Sequence, residues 1–161
     1  MRFLLAVDES DNSQRAVQYA GSLLRLTPEI DITLFHVLKP MPRQLLEHGG
    51  AEDPAAEERL GSELRSDQKV WLRAQREAQC PVLKKACEIL VQCGFDQKRV
   101  TMKFGHEDNI AGNILEEARN GGHETIVVGR RGMSNMRRIF GGGVSDQLLR
   151  DAKGLTIWVV E

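Results

Sequence analysis

Four short apolar runs constrain this chain more than anything else in it: Phe3 to Val7, Ile30 to Val37, Thr125 to Val128 and Leu155 to Val160. Each is continuous rather than alternating, the pattern of a strand covered on both faces. A fifth, weaker run spans Arg99 to Phe104, where Val100, Met102 and Phe104 alternate with polar residues. Helical stripes lie between the runs. Ala16, Val17, Ala20, Leu23 and Leu24 share one face, after the capping candidates Ser10 and Asp11. Ile110, Ile114, Leu115 and Ala118 form a second stripe, stopped by Asn120-Gly121-Gly122, and Val144, Leu148 and Leu149 form a third. Strands alternating with helices predict an α/β fold, a parallel sheet with helices on both faces.

The middle of the chain reads in two parts. Residues 39–62 carry Pro40, Pro42, Gly49, Gly50, Pro54 and Gly61, which predicts a long loop or flap. From Glu63 to Val91, the residues Trp71, Ala74, Ala78, Val82, Ala86 and Ile89 hold helical spacing. Pro81 interrupts that pattern, and its ring conflicts with the carbonyl four residues earlier, so a kink or break is expected there, with Pro81 opening a second helix.

At 161 residues and 41% hydrophobic, the chain suits one domain, residues 1–161, with a single buried core. A net charge of −1 argues against bulk binding of nucleic acid or of an anionic membrane. No apolar stretch approaches the ~18 residues of a spanning helix. The first run stops at Asp8 and Glu9, too early for a signal-peptide core, so the chain reads as cytoplasmic. Cys80, Cys87 and Cys93 are odd in number and lack C-x-x-C spacing, which disfavours a disulfide framework or structural zinc. They read as small core hydrophobes.

Chemistry concentrates after the Thr125 to Val128 run, where a strand gives way to a helix. Gly129-Arg130-Arg131-Gly132 is followed, nine residues on, by Gly142-Gly143-Val144-Ser145. Glycines there let the backbone approach a ligand, and free N–H groups at the helix start favour an anion. Arg130, Arg131, Arg137 and Arg138 lie in the same stretch, and guanidinium forks match phosphate oxygens. The second element is Val7-Asp8-Glu9-Ser10, at the carboxyl end of the first run. In an open parallel sheet, ligands sit beyond the carboxyl ends of the strands where the strand order reverses. Should the first strand neighbour the one ending at Gly129, Asp8 would face the glycine loop. It could accept from ribose hydroxyls or help hold a phosphate-bound cation. Capping of the following helix by Asp8 or Ser10 is the plainer role for that segment. No paired carboxylates and no nucleophile-base arrangement are legible, so a hydrolase centre cannot be assembled from the sequence.

These residues together resemble the universal stress protein family, of the nucleotide-binding type. The resemblance rests on Phe3-Leu4-Leu5-Ala6-Val7-Asp8, Leu34-Phe35-His36-Val37, Ile126-Val127-Val128-Gly129, the G-x2-G-x9-G loop with Val144-Ser145, and Ile157-Trp158-Val159-Val160. It implies a five-stranded parallel sheet in order 3-2-1-4-5, usually dimeric, binding ATP in the crevice, with magnesium as an accompanying cation. Carried over, the Val37 backbone would read the adenine edge, Val128 would line the base pocket and Asp8 would lie near the ribose. The amides of Gly129, Gly132, Gly142, Gly143 and Val144 would cradle the phosphates, with Arg131 beside them. The family pattern has Gly-Ser or Gly-Thr where this chain has Gly142-Gly143. Losing that hydroxyl, worth roughly 1.5–3 kcal/mol against a charged group, would weaken binding about tenfold to a hundredfold. Ser145 offers a hydroxyl two residues late. The last run, apolar and at a sheet edge in this order, predicts a homodimer through Leu155 to Val160. Stress response or signalling is the implied role. The rival readings are a dimeric interaction module that no longer binds ATP, and a slow nucleotide hydrolase.

Overall fold

The five runs become β1 (Arg2–Ala6), β2 (Asp31–Val37), β3 (Val100–Gly105), β4 (Thr125–Gly129) and β5 (Thr156–Val160). All pair in parallel in the order β3-β2-β1-β4-β5, as the resemblance implied. The structure is a computed structural model that describes residues 1–46, 53–106, 109–130 and 143–161. Central β1 and β4 are buried along most of their length, Leu4 and Ile126 completely, which is why their sequences run apolar without alternation.

Four helices cover the sheet: α1 (Asp11–Leu24), α2 (Pro54–Gln92), α3 (Ile110–Asn120) and α4 (Val144–Asp151). One face carries α1 and α2 over Phe3, Leu5, Val7, Ile32, Leu34 and Val127. The other carries α3 and α4 over Leu4, Phe35, Ile126 and Val128. The period-two alternation of each strand divides its side chains between these two cores. The expected Ser10 cap holds for α1, its hydroxyl accepting from the Ser13 N–H, and α3 is capped by the Asn109 side chain, which accepts from the Gly112 N–H. Three residues assigned to apolar stripes lie outside them: Leu23 is 53%, Ile110 41% and Leu149 58% exposed.

The middle of the chain departs from the expectation in two ways. The loop predicted over 39–62 ends early, because α2 begins at Pro54. Asp53 caps it, its carboxylate accepting from the Ala55 N–H at 3.2 Å, and Pro54 takes the first turn, where its missing N–H costs nothing. Before it stands a 3₁₀ turn, Arg43–Leu45. Residues 47–52, also part of the predicted flap, lie outside the described residues. Secondly, α2 runs unbroken through Pro81 rather than restarting there. Proline removes a single bond from a long ladder, and the helix formers around it, Ala78, Gln79, Lys84 and Lys85, hold the neighbouring dihedrals. Among the described residues no helix is long and apolar enough to cross a membrane.

Candidate functional site

The switch point lies between β1 and β4, which are hydrogen-bonded neighbours paired from Phe3↔Thr125 to Ala6↔Val128. From β1 the chain leaves into α1 on one face, and from β4 into α4 on the other. The chain therefore turns to opposite faces after these neighbouring strands, the topology at whose carboxyl ends ligands sit in open α/β sheets.

The tip of β1 is held rigidly. The Val7 N–H donates to the Phe35 carbonyl at 2.9 Å, and the Val7 carbonyl accepts from His36 Nδ1 at 2.7 Å. A carbonyl can only accept, so His36 carries its proton on Nδ1; it is a buried, hydrogen-bonded residue of the strand. Asp8 follows. Its Oδ1 accepts from the Ser10 N–H at 2.9 Å and from the Ser10 hydroxyl at 2.5 Å, while its own N–H donates to Ser13 Oγ at 3.0 Å. The carboxylate thus stays at the strand tip by tying down the turn into α1, so the capping role and a place at the crevice coincide.

The expected site residues fall on different sides of the sheet. Val37, Val128 and Val144 belong to the α3/α4 face, Val128 buried and the others half-buried. Val7 points to the α1/α2 face, away from those three. It lines, with Asp8, a cavity of about 240 Å³ between α1 and α2 whose walls include Val17, Val82, Ala86 and Ile89. Val7 therefore reaches the crevice through its backbone alone.

Gly129 serves packing. A Cβ there would lie 2.5 Å from the backbone of Asn12, so its lack of a side chain lets β4 meet the start of α1. The Arg130 guanidinium pairs at the surface with the Glu161 carboxylate at 2.6 Å, and its carbonyl accepts from the Asn12 side chain. Arg131, Gly132 and Gly142, with Arg137 and Arg138, lie outside the described residues.

At the start of α4, Gly143 has an ordinary extended conformation, φ −60° and ψ 174°, with nothing within 4 Å of where a Cβ would stand. Its N–H donates to the Asp146 carboxylate at 3.1 Å. One of the amides expected for a phosphate is thus engaged by an acidic side chain of the chain itself, a residue that sequence reasoning passed over. The signal was available, since a carboxylate three residues into a helix reaches back to the N-cap amide. Val144 and Ser145 are half-buried at the same helix start. Among the described residues no group of three or more His, Cys, Asp or Glu stands close enough to hold a metal ion.

The family model of the universal stress protein family matches residues 1–160. Among solved structures, a universal stress protein in complex with cAMP superposes with a TM-score of 0.65 at 16% identity, covering 100% of this chain and 96% of that one. The universal stress protein from Archaeoglobus fulgidus in complex with dAMP gives 0.61 at 16% identity, covering 100% and 98%. A family protein from Arabidopsis thaliana with AMP bound gives 0.60 at 15%, covering 99% and 90%. At such identities the likeness establishes the fold. Comparison with curated proteins gives no match.

Proposed function

This chain is a member of the universal stress protein family, and from that premise we propose that it binds ATP or a related adenine nucleotide in the crevice between β1 and β4. The observation that carries the reading is the gathering of Val37, Val128 and Val144 on one face beside the Asp8 tip. Their apolar side chains suit a base, Asp8 a ribose, and the α4 start a phosphate. The similar structures with cAMP, dAMP and AMP lend support, since all three ligands share the adenosine moiety. On this reading Gly129, Arg131, Gly132, Gly142, Gly143, Val144 and Ser145 surround the phosphates. Magnesium would come with the triphosphate, because the described residues offer no metal cluster of their own. The bound protein works as a cytoplasmic homodimer in stress response or signalling, with hydrolysis slow or absent.

Calorimetric titration of ATP, ADP and AMP, with and without magnesium, tests the reading. Saturable binding of at least one nucleotide is expected, weakened tenfold or more by Asp8→Ala. No heat and no protection from thermal unfolding at millimolar nucleotide would leave the second reading, an interaction module without a nucleotide. The observation favouring that alternative is Asp146, whose carboxylate already occupies the Gly143 amide.

A further inference from the structure

Packing between α1 and α2 leaves a gap. The cavity of about 240 Å³ described above lies there, just past the carboxyl end of β1. Its α2 wall includes Ala78, Pro81, Val82 and Ala86, small side chains that keep the helices apart where a larger one would close the space. Protein interiors hold few voids larger than a water molecule. An apolar cavity of ~150 Å³ already accepts benzene, so this one has room for a ligand with a larger apolar group.

The floor and the mouth differ in character. Val7, Val17 and Ala86 are buried, and Val82 and Ile89 are half-buried; all five belong to the core between the sheet and these helices. The mouth carries both signs of charge. Glu9 lies in the turn from β1 into α1 and Lys85 on α2; both are exposed, and neither has an ion-pair partner among the described residues. Ser13 adds a polar group at depth, 4% exposed. Its oxygen accepts from the Asp8 N–H at 3.0 Å, and its proton has no acceptor among the described residues. A hydroxyl has one proton to give, so a donor is left over in the wall of the cavity.

We infer that this cavity binds a free amino acid with an apolar side chain, of the size of leucine or phenylalanine. The side chain lies on the valine and isoleucine floor. The ammonium meets the Glu9 carboxylate, and the ligand carboxylate meets Lys85 and the Ser13 hydroxyl. An apolar cation would bring its charge beside Lys85, and an apolar acid would bring its own beside Glu9. A zwitterion meets an opposite charge at each end, which is how the mouth selects it. Val37, Val128 and Val144 lie on the opposite face of the sheet, so this site stands whether or not the crevice takes a nucleotide.

Calorimetric titration of the full chain with L-leucine and L-phenylalanine tests the assignment, with saturable binding of at least one expected by ~10 mM. N-acetyl-leucine, which lacks the ammonium, and leucinamide, which lacks the carboxylate, should each bind about fivefold or more weakly than leucine. Glu9→Gln should erase the preference for leucine over N-acetyl-leucine and keep that over leucinamide. Lys85→Gln should do the reverse. Both positions are exposed, so the thermal unfolding of each variant should match wild type. The absence of saturable binding for both amino acids by ~10 mM would overturn the proposal. So would equal binding of the two blocked compounds, or preferences that neither variant moves, which would place the amino acid elsewhere on the chain.

Discussion

Single residues decide how well the crevice can hold an anion. Gly143 carries no hydroxyl, and the open space at its Cβ position accepts serine without strain. Gly143→Ser should therefore tighten ATP about tenfold to a hundredfold, read by calorimetry, in proportion to one hydroxyl bond to a charged group. Asp146→Asn should also tighten ATP, since it removes a negative charge from the α4 start, at a cost of about 0.3–1 kcal/mol in helix stability. An unchanged affinity in both variants would mean that phosphates do not approach α4. Gly129→Ala is expected to act on the fold instead: a Cβ 2.5 Å from the Asn12 backbone forces β4 and α1 apart, costing about 2–3 kcal/mol and several degrees of Tm. This division was half legible in the sequence. The glycine spacing and the arginines mark the junction between β4 and α4, but that Gly129 is needed for packing depends on what lies across the sheet. For Arg130 the rival partner, Glu161, is thirty-one residues away, and nothing local announces it.

At the scale of elements, strands were easier to read than the long helix. A strand buried on both faces must be apolar throughout, so its sequence is self-sufficient evidence; β1, β2 and β4 appear within one or two residues of their runs. In α2, Pro54, Gly61 and Pro81 read locally as breakers, yet position reverses their meaning. Pro54 follows a capping Asp53, and Gly61 and Pro81 are single interruptions in a long ladder. That tolerance still has a cost, which predicts a stabilising change. Pro81→Ala restores the N–H that bonds to the Glu77 carbonyl and should raise stability by about 1–3 kcal/mol, measured by thermal unfolding at 222 nm. A lower Tm would show that the helix has adapted around the proline, whose side chain also lines the cavity beside α1.

The whole molecule presents one sheet with two unequal edges, and the β5 edge bears on assembly. Side chains of β5 are already used: Trp158 packs edge-on against Phe3 at 5.2 Å, and Val159 packs into the α3/α4 core. A charged residue at Val159 would therefore perturb the core and say little about the edge. The backbone offers a cleaner probe. The Thr156 N–H donates inward to the Glu124 carbonyl, and the Val160 carbonyl accepts inward from the Arg130 N–H. Backbone polar groups of alternate residues point to opposite sides of a strand, so the N–H groups of Ile157 and Val159 point to the open edge. Val159→Pro removes one outward donor without touching the ladder to β4, and proline is tolerated at edge positions. If two chains join through β5 about a two-fold axis, this variant should sediment with the dimer dissociated at least tenfold more readily, while its Tm stays within a few degrees of wild type. A dimer of unchanged strength would exclude the β5 edge.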